Sequence, residues 1–500
     1  MGFKIKSVTA IFALLCVINM LNYIDRGIIP GAPVQFQAFI QEHHGVDRSH
    51  VSVYIGILVS AFIASYSIFI CVFGYLSMTR KPFQLSAIGL FIWVFAIVLC
   101  GLAKPLKSFA LLLVGRLLSG IGESSFQATT PPFIDEFAPP ASRTVWLGIF
   151  YCGISVGTAV GYTYGAAMAA IWDVSFYILA VLMFPLAYAC WQWIPLEFDY
   201  PLATAPAPCS TDLRHSWITS TSKAAAAALP NESIDMLSSP TTSPSFVSQV
   251  VSIIRDPVFL TATFGVAAFT FTLAGMGAFA PAILIGYGIL SDSTASMGFG
   301  AIAVLAGLVG SPLGGWLIDR QCRGRDDDEA FRSYIAARQM LTCMTLGVVV
   351  AFVSLAFMDS SLVFLACLLV ALTLMFTTQS ATTLLVLYSV PKSKRGFAMG
   401  LNTLLLHLFG DVPSPIVLGA LKDAWAPHCG SVWNAQGEEK LDPACNQDKT
   451  GLRNVLMFAY GWLSLAVLCW AVAFAVTRHR LQKQQRQDET MGEAHGYMEG

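Results

Sequence analysis

What most constrains this chain is a row of apolar stretches, each near or above the roughly 20 residues that carry a helix across a bilayer. They lie near 7–34, 51–76, 83–103, 108–133, 144–169, 173–194, 258–288, 294–318, 333–357, 361–389, 396–421 and 452–477. In lipid every backbone N–H and C=O must find its partner within the protein, so a crossing segment is a helix or a strand of a closed barrel. These stretches are too long for barrel strands and lack the alternation of lipid-facing and lumen-facing residues. Only 12% of the 500 residues are charged, against about 25% in a soluble globular chain. The sequence predicts an all-α integral membrane protein with twelve transmembrane helices, numbered here as spans 1 to 12.

Charge orients the spans. Most of the 29 Lys and Arg residues, among them Lys4, Lys6, Arg80, Lys81, Arg143, Arg255, Arg395, Arg478 and Arg480, fall on the side that carries both termini. By the positive-inside rule that side is the cytoplasm, and an even number of spans agrees. The first stretch is too long for a cleavable signal and is expected to remain as span 1. Most of the twelve cysteines fall inside spans and read as packing residues. Cys429 and Cys445 differ. They bracket CGSVWNAQGEEKLDPAC in the loop between spans 11 and 12, on the non-cytoplasmic side, where an oxidising compartment permits a disulfide.

The chain divides into a six-helix bundle over 1–194, a linker over 195–256, a second six-helix bundle over 257–480 and a tail over 481–500. The linker is rich in Pro, Ser, Thr and Ala and cannot bury a core, so most of it is expected to be disordered in the cytoplasm, as is the tail. A cytoplasmic position would leave the sequon at Asn231 unglycosylated. Ser239 and Ser243, each followed by Pro, are possible phosphorylation sites in a segment where such dipeptides are common. The two halves echo each other weakly. GYLSMTRK (74–81) after span 2 matches GWLIDRQCR (315–323) after span 8. PPASRTVWLG (139–148) matches VPKSKRGFAMG (390–400), which sets Arg143 against Arg395 and Gly148 against Gly400. Such internal repeats mark many transporter folds.

Six ionisable residues fall well inside the spans: Asp25 and Arg26 in span 1, Arg116 and Glu123 in span 4, His407 and Asp411 in span 11. Charge at that depth is costly and points to a hydrophilic cavity or to buried pairing. Arg116 and Glu123 are two turns apart on one face, and His407 and Asp411 are four apart on another. Asp25 and Arg26 point about 100° apart. With His neutral, two cations face three anions, so one carboxylate is expected to lack a cationic partner and to carry a proton; Asp25 and Glu123 are the candidates. Buried ion pairing is an equal reading for Arg116, and a satisfied core histidine is the plainer one for His407. Gly27, Pro30, Gly31 and Pro33 should bend or break span 1 just beyond its charges, and Pro413 and Pro415 do the same in span 11. Gly153, Gly157, Gly161 and Gly165 give span 5 a flat face for close helix packing.

Two six-helix repeats joined by a long cytoplasmic loop resemble the major facilitator superfamily along the whole chain. Its loop motif G-x-L-x-D-R is intact in the second half as Gly315, Leu317, Asp319 and Arg320, and the resemblance assigns Gly315, Asp319 and Arg320 to a cytoplasmic gate. The first-half copy keeps Gly74 and Leu76 but has Met78 in place of the acid. RLLSGIG in span 4 matches R-x-x-x-G-x-G through Arg116, Gly120 and Gly122. In the superfamily a glycine-rich span 5 packs across the interface between halves. LNYIDRGIIPG, GRLLSGIGESS and LHLFGDVPSP together resemble the spinster family of lipid transporters.

That resemblance implies proton coupling and headgroup binding at Asp25, Arg26 and Glu123, with Asp25 and Glu123 expected to carry the proton. A zwitterionic or phosphate headgroup needs a cation inside the cavity, for which Arg26 and Arg116 are the candidates, and His407 and Asp411 complete the expected substrate contacts. It also implies a substrate of the lysophospholipid or sphingolipid class, moved by alternating access. The expected partners are that amphiphile, protons and membrane lipids, acting on a monomer with no nucleic acid, cofactor or metal. A lysosomal, endosomal or vacuolar membrane and the plasma membrane both fit. Two alternatives stay open: a proton-coupled carrier of a small organic anion such as a sugar acid or phosphate, and a receptor of the same fold that does not transport. An enzyme is not expected, since no nucleophile, metal cluster or phosphate-cradling loop stands out.

Overall fold

The computed structural model describes residues 4–44, 51–201, 245–433 and 439–498. Among them, twelve helices are long and apolar enough to cross a membrane: Val8–Gly31, Tyr54–Leu76, Pro82–Leu102, Phe109–Phe137, Pro140–Ala167, Ala169–Gln192, Pro257–Tyr287, Met297–Gln321, Glu329–Phe357, Ser361–Tyr388, Lys392–Trp425 and Pro443–Asp488. These are spans 1 to 12. Two apolar clusters make up the core. One lies within the first half around Trp93, Phe126, Phe150 and Phe176; the other fills the second half around Phe259, Phe271, Phe364 and Trp470 and crosses into the first half to take in Phe62, Ile70 and Phe73 of span 2. Alternation of the spans puts both termini at one end of the bundle, called the near end here; the loop between spans 11 and 12 lies at the far end.

Several elements depart from the sequence reading. Span 4 runs on to Phe137, through Pro131 and Pro132, while Thr129 and Thr130 turn their hydroxyls back onto the preceding turn. The extra turn carries Asp135 to the near end. Span 9 starts four residues before its apolar stretch, at Glu329, because Asp328 caps it by accepting from Phe331 N at 2.9 Å. Span 1 stops at Gly31, and a second helix, Pro33–His44, follows after Ala32. The tail expected to be disordered from 481 instead continues span 12 as one helix, Lys449–Met498. Its Gln, Arg, Lys and Glu residues are good helix formers and no proline interrupts them. Arg480 pairs with Asp256 at 2.7 Å at the start of that extension. Within the expected linker, Phe246–Ile254 is helical, and Phe246 packs against Tyr75 and Phe397 of spans 2 and 11. The sequon at Asn231 and the serines at 239 and 243 lie outside the described residues. A two-stranded ribbon, β1 (Ser431–Trp433) against β2 (Glu439–Leu441), sits in the far-end loop of an otherwise helical chain.

The glycine face of span 5 does not lie between the halves, contrary to the expectation drawn from the superfamily. Gly157 packs on Met20 and Tyr23, Gly161 on Ile24 and Gly27, and Gly165 on Ile28 and Gly31, all in span 1 of the same half. Glycines on both helices let the two backbones touch, and this contact fixes the height and rotation of Asp25 and Arg26.

Candidate functional site

Span 1 offers span 4 a polar ladder. At its inner rung Asn19 accepts from Gln127 Nε2 at 2.7 Å and donates to Phe150 O at 2.8 Å. Further out, Arg26 Nη2 donates to Glu123 Oε1 at 2.6 Å, and Arg116 Nη1 donates to Asp25 Oδ2 at 2.9 Å. The pairing is therefore crossed: neighbours on span 1 take partners two turns apart on span 4. The roughly 100° between Asp25 and Arg26 makes this possible, since each points to a different flank of the same helix.

Asp25 and Glu123 are fully buried and Arg116 nearly so, whereas the Arg26 side chain is 22% exposed. The Arg26 guanidinium lies 4.6, 4.8 and 4.9 Å from the ring centroids of Tyr23, Phe62 and Tyr66, and Phe62 also carries Arg116 at 4.8 Å. These ring faces hold the two cations in place as they are desolvated. Charge in the ladder sums to zero. The carboxylate left without a cationic partner is thus neither Asp25 nor Glu123, as the charge count had suggested, but Asp411.

Asp411 stands in span 11, four residues beyond His407, with Oδ2 2.5 Å from His407 Nδ1. The two residues bound a π-helical turn, His407–Asp411. Pro413 and Pro415 lack the N–H groups that would close the next turns normally, and such widened turns occur often at functional sites. The His407 ring meets the edge of Tyr66 at 5.9 Å, so Tyr66 touches Arg26 in one half and His407 in the other. The six intramembrane ionisable residues are thus gathered around one contact between spans 1, 2, 4 and 11.

The halves are clamped at the near end. Asp319 accepts from Val145 N at 2.8 Å and Thr144 N at 3.2 Å, capping span 5 from the other half. Arg332 donates to Asp319 and to Thr144 Oγ1, each at 2.6 Å, and to Pro140 O at 3.3 Å. Gly315 allows this approach, because a side chain there would run into the Thr144 carbonyl. Arg320, the basic residue of the motif, faces outward over Trp316 and takes no part. Sequence reasoning also missed a second cluster. Arg395 donates to Asp135 at 2.6 Å and to both oxygens of Glu329 at 2.9 Å. Lys392 pairs with Glu136 at 2.7 Å, and Arg143 donates to Tyr388 Oη at 3.1 Å. The repeat match of Arg143 with Arg395 was the signal available for it. Among the described residues, all ion pairs between the halves lie at this end.

At the far end Cys429 and Cys445 are joined in a disulfide. Beside it the His428 backbone N–H donates to Asp448 at 2.7 Å. Among the described residues no cluster of His, Cys, Asp and Glu is placed to hold a metal ion.

A model described as Major Facilitator Superfamily matches residues 15–411. The chain is 29% identical over 420 residues to the probable sphingolipid transporter spinster homolog 2 of Arabidopsis thaliana, covering 82% of this chain and 80% of that one. It is 25% identical over 423 residues to the sphingosine-1-phosphate transporter SPNS2 of Mus musculus, covering 82% and 69%. Among solved structures it is similar to the fucose:proton symporter FucP of E. coli, with 16% identity, a TM-score of 0.58 and coverage of 94% and 98%. It is also similar to an inward-facing bacterial homolog of the human lysosomal transporter Spinster, with 17% identity, a TM-score of 0.54 and coverage of 95% and 98%. At these identities the structural likeness concerns the fold.

Proposed function

The chain belongs to the Major Facilitator Superfamily as a transporter related to the spinster sphingolipid transporters, and from that premise we propose that it moves a lysophospholipid or sphingolipid-like amphiphile by proton-coupled alternating access. Arg26 carries the reading. It is the ladder's partly exposed cation, held over three aromatic rings, with its far side engaged by a buried carboxylate. The exposed part of Arg26 is taken to border a cleft between the halves; a phosphate headgroup entering it matches the planar guanidinium with two parallel hydrogen bonds and competes directly with Glu123 for it. Once Arg26 turns to the phosphate, Glu123 is a buried acid without its cation, and it takes a proton from the cleft. Headgroup binding and proton uptake are thereby linked at one residue. The Asp25–Arg116 pair beneath keeps span 1 tied to span 4 while this happens. Asp411, shared with His407, faces from the other half and suits the cationic part of a zwitterionic headgroup.

The near-end clamp supplies the conformational half of the cycle. With the Lys- and Arg-rich near end in the cytoplasm, the described state is closed on that side, and rocking about the midplane would open it. Flux of labelled lysophosphatidylcholine in proteoliposomes, with and without an imposed pH gradient, tests the reading. Wild type is expected to respond to the gradient, and Arg26→Ala to lose flux altogether. If wild type moves no lysolipid under either condition but accumulates a sugar phosphate, the substrate class is a small organic anion instead.

A further inference from the structure

Asn22 is fully buried within the ladder, yet neither its Oδ1 nor its Nδ2 has a hydrogen-bond partner among the described residues. An amide left this way costs stability, and buried polar groups in folded proteins nearly always find partners. Its place on span 1 says which partner it awaits. Asn22 lies three residues beyond Asn19 and four before Arg26, on the face both use. Measured from the Asn19–Gln127 contact, Asn22 stands about 4.5 Å along span 1 and Glu123 about 6 Å along span 4. The two side chains are therefore at nearly one level, between the rung that Asn19 closes and the rung that Arg26 closes. As long as Arg26 holds both oxygens of Glu123, at 2.6 and 3.4 Å, Glu123 has no reason to turn toward an amide.

We propose that Asn22 is the positioning residue that receives Glu123 when that acid is protonated, an inference resting on the proton-coupled reading above. A proton from the cleft adds to one Glu123 oxygen as Arg26 leaves for the substrate anion. The new O–H donates to Asn22 Oδ1, and Asn22 Nδ2 donates to the remaining carbonyl oxygen. A carboxamide can satisfy a neutral carboxylic acid at both positions, whereas a second cation would hold the acid ionised. The other groups facing Glu123 do not compete for this role. Arg26, Tyr23 and Asp25 approach from span 1, Tyr66 from span 2 and Arg116 from its own helix, with His407 and Asp411 beyond Tyr66 and Tyr23. Asp25 is nearer to Asn22 in sequence and its Oδ1 also lacks a partner, but Arg116 holds its Oδ2 at 2.9 Å with both side chains almost fully buried, whereas Glu123 depends on the partly exposed Arg26.

Infrared difference spectra of the purified protein with lysophosphatidylcholine present, acidic minus neutral, test this through the carboxyl C=O band that Glu123→Gln removes. In Asn22→Leu that band is expected to move to the higher frequency of an unbonded acid, and in Asn22→Thr to move only part of the way. The gradient-driven component of flux in Asn22→Leu is expected to fall about tenfold, the equivalent of about 1.4 kcal/mol. A band unchanged in Asn22→Leu overturns the proposal, even where wild type transports lysolipid in response to the gradient. Absence of any band assignable to Glu123 overturns it too. A shifted band in a protein that moves no lysolipid leaves Asn22 in its role and removes only the substrate.

Discussion

Removing one charge from the near-end clamp should open the protein on that side. Asp319 makes two bonds to backbone N–H groups of span 5 and one to Arg332, whose side chain is wholly buried. In Asp319→Asn the amide oxygen can still accept from one backbone N–H, but the charge opposite Arg332 is gone. Arg332 keeps Thr144 Oγ1 and Pro140 O, so the loss is less than that of a buried ion left alone. One charge-assisted hydrogen bond, at about 2–3 kcal/mol, is the fitting size. It corresponds to a shift of roughly 30- to 150-fold toward the state open at the near end. Spin labels at Thr79 and Arg323, exposed positions on opposite halves, read this in a background without native thiols. A longer inter-label distance should gain population in proportion. A lowered melting temperature with an unchanged distance distribution would refute the reasoning, since Asp319 would then stabilise the fold and not one state of it.

Three further outcomes are expected. Met78→Asp restores an acid beside the start of span 11, which no side chain caps, and should favour the closed near end by about 1 kcal/mol in the same distance measurement. Gly161→Leu drives a side chain into the Ile24 carbonyl, 2.5 Å from where its Cβ would stand, and should lower thermal stability by about 1–3 kcal/mol. Asp448 accepts from the His428 backbone N–H at 2.7 Å, and Asp448→Asn keeps an acceptor at that place but removes its charge. The protection factor of the His428 amide against hydrogen exchange is expected to fall severalfold in that variant at equal pH, and an unchanged factor would show that the charge does not hold this turn.

The charges inside the spans were legible from sequence because each breaks an apolar run; their partners were not. Whether Asp25 takes Arg116 or His407 depends on which helices touch span 1, and the glycine contact with span 5 decides that. Counting charges went astray for the same reason: the six residues form a pair of closed ion pairs in one half and an acid with a histidine in the other. In the clamp, the loop motif named Asp319, which bridges the halves, and Arg320, which faces outward. Arg332 lay hidden in what read as loop, since an N-cap at Asp328 begins span 9 ahead of its apolar stretch. Asp135 was hidden by Pro131 and Pro132, which suggest a helix end where the helix continues.

The glycines at the seams between the halves have a mechanical meaning. Gly74 and Gly315 hold matching places in the two repeats, as do Gly148 and Gly400. A Cβ on Gly74 would lie 2.5 Å from Gly396 O, and one on Gly400 2.5 Å from Ile70 O; Gly148 meets Ser311 and Pro312, and Gly315 meets Thr144. Backbone therefore bears on backbone at these four points, beside side-chain contacts such as that of Tyr75 with Phe397. At those four points the joint works as a bearing. If the halves rock as proposed, the helices tilt there with no rotamers to exchange, and the resistance falls on the ring contacts beside them and on the polar clamp, where a handful of charges can set it.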